Sequence, residues 1–166
     1  MQTRYVLTGF ITSLILLESV KAHGGEASDG LSNLQITLIS AGLSALCYIG
    51  IKFLWGTEMN NQTRIMLSAV TYTGAVHIML GLDDIIFLLG GLGIVGFGFA
   101  PLAVGFARSN QKIFDIALSL NASIMFVAYF VSKHDLHGLM EDYLGITTKL
   151  AEIAILVLVY KKIKAD

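Results

Sequence analysis

The stretch HIMLGLDDIIF, which runs from His77 to Phe87, separates two long apolar runs of the sequence. It places an imidazole and two carboxylates, Asp83 and Asp84, beside a glycine at the predicted end of a helix. Ionisable side chains at the edge of a hydrocarbon-compatible segment indicate a functional site, because placing them in lipid is costly. A second interpretation stays open, in which Asp83 and Asp84 cap the following helix at a turn exposed to water.

The composition of the whole sequence indicates a membrane protein. Of the 166 residues, 55% are hydrophobic and 14% are charged, and the mean hydropathy is +0.72. Soluble domains carry about 25% charged residues. The single cysteine, Cys47, excludes a disulfide within this sequence and a cysteine-rich metal site. A formal net charge of -1 gives no basic excess that would predict a nucleic-acid partner.

Six apolar runs predict the fold class, an all-α, polytopic transmembrane helix bundle. About 20 apolar residues are needed to span a bilayer core of about 30 Å. The runs lie at 5–20, 34–55, 65–82, 85–107, 113–131 and 146–160. In the fourth run, Gly91, Gly93 and Gly98 predict close helix contacts, and Pro101 predicts a kink. Residues 23–166 are predicted to form a single transmembrane domain.

The first run has two interpretations. Arg4 precedes it and Val20-Lys21-Ala22 follows it, which is the pattern of a cleavable secretory signal peptide. Its borderline length also fits a retained helix, so residues 1–22 are a signal peptide or a first transmembrane helix, and the number of spans is five or six. Cleavage after Ala22 would make His23 the amino terminus, where its amine and a ring nitrogen suit copper. Otherwise His23 belongs to a polar loop.

The distribution of Lys and Arg predicts the orientation in the membrane. With the amino terminus in the cytoplasm, eight basic residues fall on the cytoplasmic side and three on the outer side, which together are the 11 in the sequence. This is a positive-inside bias, and it places the carboxyl terminus in the cytoplasm of the cell. All four histidines then come to the outer half. Separate stretches of the chain therefore bring potential metal ligands to the outer face of the membrane.

A candidate metal site follows from this placement. Imidazole and carboxylate groups bind divalent first-row metals where thiolates are lacking. His77 and Asp84 are seven residues apart and are predicted to share one helical face. In the last connector, His134 and His137 are three residues apart and Glu141 follows four residues later, so the three are predicted to share one helical face. The alternative is that this connector is a solvated amphipathic loop. The predicted ligands are His77, Asp83, Asp84, His134, His137 and Glu141, with His23 as a further candidate.

Two further ionisable residues lie within the last apolar run. Lys149 and Glu152 are three residues apart and are predicted to pair with each other near the outer surface. No cysteine or serine nucleophile with an adjacent base is visible in the sequence, so no catalytic residue is predicted. The chain is not predicted to be an enzyme by itself, although it would fit as a subunit of an enzyme complex.

A family resemblance is carried by Gly74-Ala-Val-His77-Ile-Met-Leu-Gly81-Leu-Asp83-Asp84-Ile-Ile-Phe87-Leu-Leu. This stretch resembles the signature of the hydrogenase and urease accessory HupE/UreJ family of small membrane proteins, in which His is followed after five residues by Asp-His. His77 and Asp83 match the first two positions of that motif, and Asp84 stands where the family has histidine. His137-Gly138 followed by Glu141 is similar to a second family motif, with the glutamate one residue later.

The resemblance implies a permease whose cargo is nickel, or sometimes cobalt. The predicted function is therefore a multi-pass membrane protein that captures or transports a divalent transition metal from the outer face, with copper or zinc as alternatives to nickel. The alternative function is a non-catalytic subunit of a larger membrane metalloenzyme complex, such as a copper monooxygenase or oxidase. Both predict a lipid bilayer around the chain, and further membrane subunits or a homo-oligomer are the protein partners to be expected.

Overall fold

The computed structural model describes residues 31–55, 59–82, 84–132 and 142–165, and their regular secondary structure is helical throughout. The all-α prediction is confirmed for these residues. The first apolar run and the predicted domain boundary after residue 22 lie outside them. The described helices are α1 (Asn33–Trp55), α2 (Asn61–Leu80), α3 (Ile85–Ala103), α4 (Gly105–Ser109), α5 (Gln111–Ser132) and α6 (Tyr143–Ala165).

Four of the described helices, α1, α3, α5 and α6, are long and apolar enough to cross a membrane. Their candidate spans contain 19 to 23 residues, close to the ~20 that a bilayer core requires. The predicted helix bundle of membrane-spanning type is therefore confirmed. Helix α2 has 20 residues but falls short of the others in apolarity, so the third run does not qualify as a span by itself.

Helix α2 tolerates polar side chains because three neighbours cover it. It packs against α1, α3 and α6, and its buried residues include Thr71, Thr73 and His77. The Thr71 hydroxyl donates to the Leu67 carbonyl of its own helix at 2.9 Å, so this buried polar group is satisfied locally. Protein neighbours in place of lipid allow a helix at membrane depth to carry polar groups that a lipid-facing helix cannot.

Helices α2, α3, α5 and α6 form a closed ring in which α2 contacts α3, α3 contacts α5, α5 contacts α6, and α6 contacts α2. Helix α1 packs mainly on α2, where the Ser44 hydroxyl donates to the Ser68 carbonyl at 2.8 Å. Each helix of the ring contributes apolar side chains that are almost fully removed from solvent. They are Leu67, Val70, Ile94, Leu118 and Ile155.

The glycines of α3 provide close contacts within the ring. A Cβ placed on Gly91 would lie 2.9 Å from the carbonyl oxygen of Gly74, and one on Gly98 would lie 2.7 Å from the Val70 side chain, both on α2. Gly93 approaches α5 in the same way. The prediction of close helix contacts at these glycines is therefore confirmed, and the contacts are made within this chain.

The turn between α2 and α3 separates His77 from Asp84. The Gly81 N–H donates to the His77 carbonyl at 2.8 Å and closes α2, and Asp84 Oδ1 accepts from the Ile86 N–H at 2.8 Å and opens α3. The predicted common helical face for His77 and Asp84 is therefore wrong, because the two residues belong to different helices. A Cβ on Gly81 would overlap the backbone of Leu88, so a glycine is needed for this tight turn.

Pro101 lies inside α3, near the end of that helix. Helix α3 stops two residues later, Val104 is extended with φ -119° and ψ 124°, and α4 then begins. Arg108 donates through Nε to the Pro101 carbonyl at 3.3 Å and through Nη2 to the Leu102 carbonyl at 3.1 Å. These bonds satisfy carbonyls that a helix end leaves without intrahelical partners.

Candidate functional site

His77 lies in the last turn of α2 and is only 3% exposed. Its ring stacks on Phe87 of α3, with 5.7 Å between the ring centroids and 19° between the ring planes. On the side of α6, His77 Nε2 lies 2.8 Å from Oε1 of Glu152. The imidazole therefore joins three helices of the ring.

Both carboxylate oxygens of Glu152 are engaged, although this side chain is fully buried. Oε1 faces His77 and also lies 3.4 Å from the donating hydroxyl of Thr73. Oε2 accepts from the Lys149 ammonium at 2.7 Å. Burying a carboxylate is costly unless it is paired and hydrogen-bonded, and these three partners on α2 and α6 meet that requirement.

Lys149 is held from the other side by α5. Its ammonium also donates to the Met125 carbonyl at 2.9 Å and lies 5.1 Å from the ring centroid of Tyr129 and 5.9 Å from that of Phe126. Aromatic rings at these distances attract a cation. The group formed by His77, Thr73, Lys149 and Glu152 is called the His77 cluster below.

The hydrogen bonds of the His77 cluster select one tautomer of the imidazole. A carboxylate that faces an ammonium can only accept, so Nε2 of His77 is the nitrogen that donates. The neutral ring then carries its lone pair on Nδ1. Among the described residues no group hydrogen-bonds Nδ1, which is buried. Metal-binding histidines have this arrangement, with one ring N–H on a carboxylate and the other nitrogen on the metal.

Further polar side chains gather at the end of the bundle where α2 ends and α6 begins. The Tyr129 hydroxyl donates to Asp142 Oδ2 at 2.9 Å, and Asp142 Oδ1 accepts from the Gly145 N–H at 2.9 Å in the first turn of α6. Nearby, the Tyr72 and Thr147 hydroxyls are 2.8 Å apart and connect α2 with α6. The His77 cluster thus has a polar surrounding on α2, α5 and α6.

The described residues include two of the predicted metal ligands. His77 lies in the cluster, whereas Asp84 is exposed and caps α3, as the alternative interpretation of the turn expected. Within ranges 31–55, 59–82, 84–132 and 142–165, no three His, Cys, Asp or Glu side chains converge as a metal site would require. The other predicted ligands lie outside the described residues and stay predictions. They are Asp83, His134, His137, Glu141 and His23.

The predicted pair of Lys149 and Glu152 forms, and the two residues are 6% and 0% exposed inside the bundle. Its predicted position near the outer surface of the membrane stays a prediction. The bond between Glu152 and His77 was missed. Spacing within one run cannot reveal a partner 75 residues away. The predicted depth in the membrane could have indicated this bond. His77 lies near the end of the third run and Glu152 early in the last run, and both positions are predicted on the outer side of the membrane. Ionisable groups at membrane depth require partners.

A second, partly buried ion pair joins α5 and α6 away from the His77 cluster. The Lys162 ammonium lies 2.9 Å from Oδ1 and 2.8 Å from Oδ2 of Asp115, which is only 4% exposed. Between this pair and the cluster, α5 and α6 are joined by buried apolar side chains such as Leu118 and Ile155.

Comparisons of the chain with protein-family models, with curated proteins and with solved structures find no match.

Proposed function

We propose that the chain is a multi-pass membrane protein that binds a divalent transition-metal cation as its cargo, with Nδ1 of His77 as the central ligand. The observation that supports this proposal is the orientation of the imidazole, with Nε2 on the carboxylate of Glu152 and Nδ1 buried without a hydrogen-bond partner among the described residues. A buried nitrogen that lacks a partner is costly and calls for an explanation. Coordination of a metal provides that explanation.

The remaining ligands in this proposal come from chain segments that leave or enter the bundle beside the His77 cluster. One segment follows α2 directly. The other precedes Asp142, which is joined through Tyr129 to the surroundings of the Lys149 ammonium. These segments contain the other side chains that the sequence predicts as ligands, namely Asp83, Asp84, His134, His137 and Glu141.

The cation enters from the outer face in this proposal. The bias of eight basic residues against three supports an orientation in which the end of α2 and the beginning of α6 face outwards. Imidazole nitrogen as the central donor favours nickel, cobalt, copper or zinc over magnesium and calcium, which prefer oxygen ligands. The resemblance to the HupE/UreJ family supports nickel as the first cation to test.

The test is the metal content of the purified, detergent-solubilised protein, measured by mass spectrometry after exposure to nickel, cobalt, copper or zinc and removal of unbound metal. We expect the wild type to retain one of these metals and His77→Gln to lose it, because an amide can still donate to Glu152 but offers no imidazole nitrogen. Thr71→Ala is the matched control, since its hydroxyl donates to the Leu67 carbonyl and is not part of the His77 cluster, so its loss should leave metal binding unchanged. Equal metal content in the wild type and His77→Gln would contradict the proposal.

A non-catalytic subunit of a larger membrane complex is the second candidate function. Helix α1 packs on the ring from one side, and a Cβ placed on its Gly42 or Gly50 meets no described atom within 4 Å. Glycines that expose the backbone in this way permit close approach of another membrane helix. Proteins that co-purify in constant ratio, together with a lack of bound metal, would favour this second function.

A further inference from the structure

We propose that Lys149 is a positioning residue of the metal site. Its ammonium holds Glu152 so that the carboxylate accepts the Nε2 proton of His77, which leaves Nδ1 for the cation. This inference rests on the proposed function as far as the metal is concerned. The tautomer of His77, however, is a property of the metal-free protein and is measured separately.

The contacts of Glu152 assign this role to Lys149. The Thr73 hydroxyl approaches Oε1 only at 3.4 Å, which is a weak hydrogen bond, whereas the Lys149 ammonium approaches Oε2 at 2.7 Å. Charge-assisted bonds of this length are about twice as strong as bonds between neutral groups. The orientation of the carboxylate relative to His77 is therefore determined mainly by Lys149.

The same contacts occupy both carboxylate oxygens of Glu152 with donors from the protein. Oε1 is used by His77 and Thr73, and Oε2 is used by Lys149. The carboxylate therefore supports the ligand instead of serving as one. A supporting carboxylate of this kind orients the imidazole ring and raises its basicity as a ligand, and its loss usually weakens metal binding by about 10- to 100-fold.

Lys149 is itself fixed by groups that do not belong to the metal site. The Met125 carbonyl accepts from its ammonium at 2.9 Å, and the Tyr129 and Phe126 rings lie beside it. The position of the ammonium is thus determined by α5, and the orientation of His77 on α2 depends on α5 through Lys149 and Glu152. No contact between α5 and His77 is required for this dependence.

The experiment is nitrogen NMR of the metal-free, histidine-labelled protein at mildly alkaline pH, with the His77 signals assigned from the His77→Gln spectrum. We expect the wild type to carry its proton on Nε2. In Lys149→Met, which removes the ammonium at nearly constant length, we expect the Nδ1-protonated form to appear and the nickel affinity to fall by about 10- to 100-fold. Lys149→Arg keeps a cation and should keep the wild-type tautomer. Lys162→Met removes the other lysine of α6 that pairs with α5 and should leave the His77 signals unchanged.

A wild-type imidazole protonated on Nδ1 would overturn the inference, and this measurement does not require that any lysine variant folds. An unchanged tautomer and unchanged nickel affinity in folded Lys149→Met would also overturn it, while leaving the proposed metal binding intact. If the wild type binds no metal but the tautomer shifts in Lys149→Met as expected, the positioning role is supported and the proposed function fails.

Discussion

Asp115 and Lys162 form one ion pair, but they differ in whether the charged group could reach solvent if its partner were removed. Asp115 is 4% exposed, and its short side chain cannot reach solvent from the first turns of α5. The Lys162 side chain is 20% exposed and lies in the last turn of α6, so its long stem can extend towards the membrane surface. The two residues should therefore respond unequally to loss of the partner.

For this reason we expect Lys162→Met to lower the free energy of unfolding by about 3 kcal/mol, because it leaves a buried carboxylate without its counterion. Asp115→Ala should cost only about 1 kcal/mol, because the lysine reorients. The measurement is reversible unfolding in mixed micelles as the fraction of denaturing detergent increases. The double variant serves as the control and should be close to Asp115→Ala. A larger cost for Asp115→Ala than for Lys162→Met would contradict this asymmetry.

The residue scale also shows which part of the site could be predicted. His77 was identified because an imidazole at the edge of an apolar run is unusual in itself. Its bond to Glu152 depends on the packing of α2 against α6, which no local spacing encodes. The prediction that His77 and Asp84 share a helical face is wrong for the opposite reason. It extended the local helical repeat across Gly81, where the helix ends.

At the scale of the elements, composition located the helices well because lipid-facing segments must be apolar along their length. The predicted run 34–55 corresponds to α1, and 113–131 corresponds closely to α5. Helix α6 extends beyond its predicted run at both ends, because the Gly145 N–H bonds to Asp142 at its beginning and Lys162 pairs with Asp115 near its end. The internal position of α2 was not predicted, because it depends on the packing of α1, α3 and α6 around this helix.

The glycines of α3 permit a paired test at this scale. Gly91→Ala should lower the free energy of unfolding by about 1–3 kcal/mol, because its Cβ would lie 2.8 Å from the backbone nitrogen of Ile78, which cannot move without shifting α2. Gly96→Ala on the same helix meets no described atom within 4 Å and should change stability by less than about 0.5 kcal/mol. Unfolding of both variants in the same micelles checks this prediction, and equal effects would show that the α2–α3 contact is not tight.

At the scale of the whole molecule, the end of α2 and the beginning of α6 lie together, whereas α6 continues for 23 residues, or about 34 Å, towards the opposite end. The charge bias predicts which of these ends faces the outside. The polar side chains of α2, α5 and α6 associate at one end, and this end contains His77. The common placement of all four histidines stays a prediction. The side of the membrane on which this end lies is a prediction that labelling tests directly.

Cysteine labelling in intact cells measures that side. In a Cys47→Ser background, we expect Leu82→Cys to react with a membrane-impermeant maleimide, because Leu82 is exposed at the end of α2. Ala165→Cys, at the end of α6, should react only after the membrane is permeabilised. Cys47→Ser alone is the unlabelled control. The reverse pattern would invert the predicted orientation, and labelling of both positions from outside would exclude a transmembrane path for α6.

Two lysines of α6, Lys149 and Lys162, have a mechanical consequence. They are 13 residues apart, which is about 20 Å along a helix, and each binds a group of α5. Two helices fastened at two such distant points resist sliding and tilting, so α5 and α6 should behave as one rigid body. Helix α2 meets this body at the His77 cluster through the hydrogen bonds of His77 and Thr73. Any rearrangement that admits a cation to the buried Nδ1 should therefore displace α2 and its partner α3, while α5 and α6 keep their positions relative to each other.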